Sequence, residues 1–518
     1  MFRRISFHIW LLALSPILAL YVTNIREIEF IAIIRPIIIS VFFAGAIYLL
    51  AKILFDRFQS AALITSTLII FFYAYGPIQK SALVIPLIGG IVGRSVFLLP
   101  VIGAVITCFI IFINRNRQRI ADINVGYNIF AVIMVSISLL QVGYYEIIKS
   151  ISEKSNSISS QVLVSSTTNH PNIYYIVLDS YTRQDELLDR YHFDNSAFIR
   201  ELRNLGFYVA DCSLSNYSYT PGSIGSTLNM DYLYNVTSEL PKSRNTGLLY
   251  DLVPNNRVRQ SLKMDGYRIV SFDTSYNWVN WHDADIYYGN PSFYLTDRFF
   301  YPFETILIDT TVLRVLQKHD LVSIKEVKGV PTVNYVQSHL KKTMTVLDNL
   351  QLTTTLEGPN FVYAHILVPH APFVFNPDGS ASWDNYFDEH TGEKGANVNV
   401  SEGYVKNIQF INNQIIEIIH YLLENSDPDP VIIVQGDHSL NKENRYPILN
   451  AYYFPDKDYQ SLYSSISPVN SFRVIFDKYF GAKLPLLEDL SIKNDINLPF
   501  GRDTIDVRSA GCKSQPKQ

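Results

Sequence analysis

Charge is scarce in this chain, and acid is scarcest at its start. Of 518 residues only 17% are Asp, Glu, Lys or Arg, against about a quarter in ordinary soluble domains. Residues 1–150 hold just five acidic side chains: Glu27, Glu29, Asp56, Asp122 and Glu146. That shortage argues against a plain water-soluble enzyme. Cysteine is scarce too. Three are present, Cys108, Cys212 and Cys512, which leaves room for one bridge between the last two but no disulfide framework. Internal repeats and collagen-like periodicity are missing, and the composition is too apolar for a disordered chain. Nor is there a basic domain of the kind that binds nucleic acid. The first 150 residues carry a net charge of +7 and the remaining 368 carry −11.

What the chain has instead is hydrophobic sequence: 48% of residues and a mean hydropathy of +0.10, concentrated at the front. Five stretches, roughly 6–23, 31–54, 60–77, 95–113 and 127–148, approach the ~20 apolar residues that a helix needs to cross a bilayer. The first follows Arg3 and Arg4 like a signal peptide. Its apolar run is too long, however, and no small-residue cleavage site follows, so it reads as a retained helix. With the N-terminus inside, the inner segments carry Arg3, Arg4, Lys52, Arg57, Arg115, Arg117 and Arg119. The outer loops then carry only Arg26, Lys80 and Arg94. Positive residues stay inside, so five crossings deliver everything after about residue 150 to the far side of the membrane. The expected organisation is a transmembrane domain of five helices over 1–150, a Ser/Thr-rich linker over 151–169, a catalytic domain over 170–485 and a C-terminal extension over 486–518.

Beyond the linker, apolar strand-like runs alternate with amphipathic helical segments. Ile173–Leu178, Arg268–Phe272, Phe361–Val368 and Val431–Gln435 read as buried strands, with helices near 198–205 and 404–423. Such alternation predicts an α/β fold with a mostly parallel sheet sandwiched by helices. In these sheets ligands collect at the carboxyl ends of the strands. The first strand ends in Asp179-Ser180, the third in Pro369-His370 and the fourth in Gly436-Asp437-His438-Ser439. An Asp after a strand commonly caps a helix, and a lone His beside Pro is commonly a loop residue. Three such ends together form a donor set suited to zinc or manganese. Gly436 is expected to give the turn the backbone freedom to aim both Asp437 and His438 at one ion.

A nucleophile is also needed for transfer chemistry. The segment 213–230 is crowded with hydroxyls, among them Ser218, Thr220, Ser223 and Ser226, before it turns helical. A hydroxyl at a helix N-terminus is well placed to attack phosphorus. The same composition also suits a simple cap and loop. The aromatic-rich stretch 274–303, with Trp278, Trp281, Phe299 and Phe300, reads equally as an interfacial lip or as core.

The wording Asn172-Ile-Tyr-Tyr-Ile-Val-Leu-Asp179, Ser226-Thr-Leu-Asn-Met230, His365-Ile-Leu-Val-Pro-His370, Gly436-Asp-His438 and Ile448-Leu-Asn-Ala-Tyr-Tyr-Phe454 resembles, in order and spacing, the alkaline-phosphatase/sulfatase superfamily over roughly 170–480. With five preceding helices, the chain looks like the membrane-anchored sulfatase-like proteins, including lipoteichoic acid synthases and lipid A phosphoethanolamine transferases. The resemblance implies an alkaline-phosphatase-like fold. It makes Asp179, Asp437 and His438 ligands of one divalent metal ion, zinc or manganese, and Thr220 both nucleophile and ligand. His370 would contact the transferred group. Thr220-Pro-Gly-Ser223 has the shape of the sulfatase Cys-x-Pro-Ser element, but Thr220 replaces the cysteine and Ile224 the following arginine. Formylglycine cannot be made from threonine, so authentic sulfatase activity is not expected. Asp179 stands where the transferases have glutamate, and Ser180 where sulfatases often have a second acid, which favours one metal over two. Ser439 replaces the commoner glycine after the Asp-His pair, and Ser218 is a rival nucleophile.

The implied activity is transfer of a substituted phosphoryl group from a membrane phospholipid donor to a glycan or lipid acceptor, through a phospho-threonine. It would act on the outer face of a cell inner or plasma membrane, with no nucleic acid involved. The alternatives are a membrane-tethered hydrolase or phosphodiesterase sharing the site, and a non-catalytic membrane protein whose site has degenerated.

Overall fold

The computed structural model describes residues 5–25, 28, 30–55, 57–83, 91, 93–159, 170–236, 247–274, 278–289, 302–315, 332–382, 399–441, 443–493 and 503–505. Arg3, Arg4, linker residues 160–169, Phe299, Phe300 and Cys512 lie outside the described residues. Two compact units emerge: Met1–Ser150 with Asn290–Tyr335, and Ile151–Gly289 with Val336–Gln518. Cys212 is disulfide-bonded and Cys108 is free.

The first unit contains a helix at each of the five expected places: α1 (His8–Thr23), α2 (Ile34–Leu54), α3 (Phe58–Leu83), α4 (Ser95–Arg115) and α5 (Ile120–Ser159). Four helical stretches are long and apolar enough to cross a membrane: Phe30–Leu54, Phe58–Leu83, Ser95–Arg115 and Ile120–Ile147. The helix α1 is shorter, at 16 residues. Polar side chains stop it at both ends. The His8 ring lies 2.6 Å from Ser66 Oγ and 3.0 Å from Asn124 Oδ1, and its backbone N–H donates to Asn128 Oδ1 at 3.1 Å. At the other end Asn24 turns its amide back onto the carbonyl of Leu20. Apolar side chains on α2 and α5, such as Phe42, Ile53, Leu54 and Leu140, are more than 70% exposed, which suits a surface solvated by lipid rather than water. The helix α5 runs on to Ser159, into the expected linker, because no Gly or Pro interrupts 144–159.

Residues 302–315, which the sequence alone leaves in the catalytic domain, pack within this first unit. The short helix Pro302–Thr310 places Glu304 on Arg35, with Arg35 Nε donating to Oε1 at 2.7 Å. Asp309 pairs with Lys80 at 2.8 Å, and Val312 N–H donates to the carbonyl of Phe72. The backbone of 309–310 approaches α3 so closely that a β-carbon on Gly76 would lie 2.2 Å from the Asp309 carbonyl oxygen.

The second unit is built on a seven-stranded sheet. Its strands are β1 (Ile173–Leu178), β2 (Tyr208–Val209), β3 (Arg268–Phe272), β4 (Ile286–Tyr288), β5 (Asn360–Ile366), β6 (Val431–Gly436) and β7 (Asn450–Tyr453). They run in the order β2-β7-β6-β1-β5-β3-β4. The stretch β6-β1-β5-β3-β4 is parallel, while β7 is antiparallel to both β6 and β2. Every residue of β1, β5 and β6 is buried, which explains their largely apolar sequence without strict alternation.

Alternation along the strands divides the core in two. Tyr174, Ile176 and Leu178 face one layer with Val362, Ala364, Ile432 and Val434, under the helix Val400–Asn425. Ile173, Tyr175 and Val177 face the other layer with Phe361, Tyr363, Val431 and Ile433, under the helices Thr220–Asn229, Arg257–Met264 and Pro468–Phe480. Trp281 belongs to this second layer, fully buried and stacked 4.3 Å from Tyr363, so that part of the aromatic-rich stretch is core.

Candidate metal centre

Parity along three neighbouring strands brings the polar strand ends to one face. Residues 173, 175 and 177 of β1, 361 and 363 of β5, and 431 and 433 of β6 share the second layer. Continuing by twos gives Asp179, His365 and Asp437. The helix Thr220–Asn229 packs on that same face through Ile224 and Leu228. Local sequence thus places a carboxylate, an imidazole, a second carboxylate and a hydroxyl-bearing helix start at one sheet edge.

There the side chains converge. Ligand atoms of Asp179, Asp437 and His438 all lie within 4.8 Å of one another, and all three residues are buried. The turn after β1 is strained: Ser180 has φ of 64°, a left-handed conformation that costs a non-glycine residue about 1–2 kcal/mol. Its surroundings hold it there. Ser180 N–H donates to Asp437 Oδ1 at 2.8 Å, Tyr404 OH donates to the Ser180 carbonyl at 2.8 Å, and Ser180 Oγ donates to Asp179 Oδ1 at 3.1 Å. Gly436 ends β6 for a reason other than the backbone freedom expected of it. A β-carbon there would lie 2.4 Å from the carbonyl oxygen of Tyr181. Only glycine lets the two turns come this close, and the closeness brings Asp437 to Asp179.

His438 Nδ1 lies 3.1 Å from the Ser439 carbonyl. With the ring proton donated there, Nε2 presents its lone pair to the site. Thr220, the first residue of its helix, holds Oγ1 3.2 Å from that nitrogen. Ser218, the rival hydroxyl, is half-buried, and its carbonyl accepts a long bond from Arg445 at 3.4 Å. His370 donates its backbone N–H to the Asp179 carbonyl at 3.0 Å, and its Nδ1 lies 2.6 Å from the Ala371 carbonyl. Burial acts to raise the Asp179 carboxyl pKa, but His370, His365 and His438 together hold it well below the usual carboxylate range.

Two contributors escape sequence reasoning. His365 enters it only as motif wording, yet its Nε2 sits 3.2 Å from Asp179 Oδ2. A histidine inside an otherwise apolar buried strand is the signal that could have found it. Tyr404 reads as a core residue of its helix. Its hydroxyl nevertheless accepts from Thr182 N–H and donates to Ser180, buttressing the strained turn.

The donor set fits a divalent cation. Asp437 Oδ1 accepts from two backbone N–H groups, Ser180 and His438, whereas its buried Oδ2 has no hydrogen-bond partner. A buried carboxylate oxygen without a partner, beside a second carboxylate, calls for a positive charge. Two carboxylates, one imidazole nitrogen and one hydroxyl suit zinc or manganese.

No family model matches the chain, and no curated protein matches it. Among solved structures it is similar to the C-terminal periplasmic domain of EptC from Escherichia coli in complex with zinc, with a TM-score of 0.41 and 12% identity over 68% of this chain and 96% of that one. It is also similar to the integral membrane lipooligosaccharide phosphoethanolamine transferase A from Neisseria meningitidis, with a TM-score of 0.38 and 10% identity over 96% and 97%. A third likeness is to the lipoteichoic acid synthase LtaP from Listeria monocytogenes, with a TM-score of 0.35 and 12% identity over 68% and 80%. Likeness this remote assigns no chemistry, which is read here from the side chains themselves.

Proposed function

We propose that this protein is a membrane-anchored, metal-dependent transferase of the sulfatase-like kind, moving a substituted phosphoryl group from a phospholipid head group to a glycan or lipid acceptor. The observation that carries this reading is Thr220 Oγ1, at the start of a helix and 3.2 Å from His438 Nε2, beside the buried Asp179 and Asp437. Asp179, Asp437, His438 and Thr220 would hold one divalent ion. When bound, it lowers the pKa of the threonine hydroxyl and neutralises charge on the phosphoryl oxygens.

Thr220 loses its proton to solvent and attacks phosphorus. The Oγ1–P bond forms as the bond from phosphorus to the diacylglycerol oxygen breaks. His370 gives the departing oxygen its proton. In the second half the acceptor hydroxyl loses its proton to His370 and attacks phosphorus, the P–Oγ1 bond breaks, and Thr220 is reprotonated. The positive end of the dipole of the Thr220 helix favours the developing negative charge.

The α/β domain would act outside the cytoplasm of a cell inner or plasma membrane. The excess of basic residues on the inner segments supports this orientation. So does the packing of 302–315 against the first turn of α2 and the last turns of α3, the two ends which that orientation puts outside. A catalytic domain tethered to membrane helices would act on lipids of that membrane.

The test is mass spectrometry of the full chain in detergent after incubation with mixed membrane phospholipids and zinc or manganese. A head-group phosphoryl adduct on the Thr220 peptide, absent in Thr220→Ala, is expected. A metal-loaded protein with no adduct, or with one elsewhere, would overturn the reading.

A further inference from the structure

His365 poses a question that packing does not answer. It is 1% exposed, in the middle of the sheet, where β1 and β5 pair with Val177 opposite His365. Its neighbours on that face, Phe361 and Tyr363, are apolar or aromatic core. An apolar side chain of similar size would fill the position without leaving polar atoms in the core. Yet neither ring nitrogen makes a hydrogen bond, although Nε2 lies 3.2 Å from the Asp179 carboxylate. Burying an imidazole so poorly satisfied costs stability, and the cost falls one strand from the proposed metal ligands.

We infer that His365 is a positioning residue for the metal, acting through Asp179. The inference rests on the reading of Asp179 as a ligand under Proposed function. The two oxygens of Asp179 are approached by different groups: Ser180 Oγ donates to Oδ1 at 3.1 Å, and His365 Nε2 stands 3.2 Å from Oδ2. The first partner rides on the strained turn. The second is fixed to the sheet, because β5 is locked to β1 on one side and β3 on the other. A carboxylate gripped from the sheet side keeps one orientation of its lone pairs, and partners of this sort set metal affinity. The chemistry required of residue 365 is therefore an N–H donor of imidazole reach, not an acid, a base or a ligand.

Metal titration of the full chain in detergent tests this independently of turnover, with manganese or zinc as the probe and circular dichroism as the check on folding. Replacing His365 with leucine keeps the volume and removes the donor, while His365→Gln keeps an N–H. Expected is a 10–100-fold weaker metal affinity in His365→Leu, with His365→Gln recovering at least half of the loss on a logarithmic scale. If both variants bind within about threefold of the parent, or both lose equally, the inference is overturned. A parent protein that binds neither metal would instead overturn the proposed function, so the two failures are distinct. Should the leucine variant not fold, His365→Gln against His365→Met decides by the same criteria.

Discussion

The backbone N–H of Ser180 donates to Oδ1 of Asp437 at 2.8 Å, joining the turn after β1 to the turn after β6. With His438 N–H on the same oxygen, one side of the carboxylate is fully occupied by the protein. The other side, Oδ2, faces the site with no partner. One oxygen holds the fold, and the other is the one that would take the proposed cation.

That division predicts opposite effects for one substitution. Asn at 437 keeps an oxygen for the two N–H groups but removes the buried charge. In chelator, Asp437→Asn should be at least as stable as the parent, by roughly 0–2 kcal/mol. With zinc or manganese present the parent should gain stability by mass action while the variant gains none. Thermal unfolding with and without metal measures both. A variant less stable than the parent in chelator would refute the assignment of Oδ2.

Thr220 is half-buried at the first position of its helix and packs little. Its loss should therefore spare the fold and remove the chemistry. Thr220→Ala is expected to cost at least ~10³-fold in turnover with a stability change under about 1 kcal/mol. Thr220→Ser should still form the adduct, and Ser218→Ala should leave it intact. Loss of the adduct in Ser218→Ala alone would transfer the nucleophile role to Ser218.

Gly436→Ala drives a β-carbon to 2.4 Å from a backbone oxygen, and neither atom belongs to a flexible side chain. The two turns must part, at a cost of about 1–3 kcal/mol, and Asp437 moves with them. Both melting temperature and metal affinity should fall. A folded variant with unchanged affinity would show that the close approach does not set the site.

In the first unit, Arg35 and Glu304 form a two-point ion pair in which the Glu304 side chain is only 6% exposed. Breaking it from one side leaves a buried charge, so Arg35→Ala or Glu304→Ala should each destabilise by about 3–5 kcal/mol. The double variant should be less damaged than the sum. A double-mutant cycle by thermal unfolding in detergent checks this, and strict additivity would mean that the pair contributes nothing.

Much of this was legible without coordinates. Mainly apolar runs announced β1, β3, β5 and β6, because strands buried on both faces need no alternation. Their carboxyl ends pointed to Asp179, His370, Asp437 and His438, because parallel strands discharge their next residues at one edge. Length and hydropathy placed the five N-terminal helices, and the basic residues supply the expectation that the N-terminus lies inside. These properties are local: they depend on near neighbours in sequence and on the solvent, water or lipid, around each segment.

Other features depend on atoms far apart in sequence. Nothing local says that α1 starts at His8, since Asn124, Asn128 and Ser66 hold His8 from other helices. Nothing local sends 302–315 to the membrane unit, since Arg35 and Lys80 draw it there. Ser218 and Thr220 are equivalent hydroxyls until the fold turns Thr220 to face His438. The glycine at 436 looked like conformational freedom and proved to be space for Tyr181. Residue types and strand parity determined which groups could meet. Only tertiary packing, which brings the Ser180 N–H to 2.8 Å from a carboxylate oxygen 257 residues away, decided that they do.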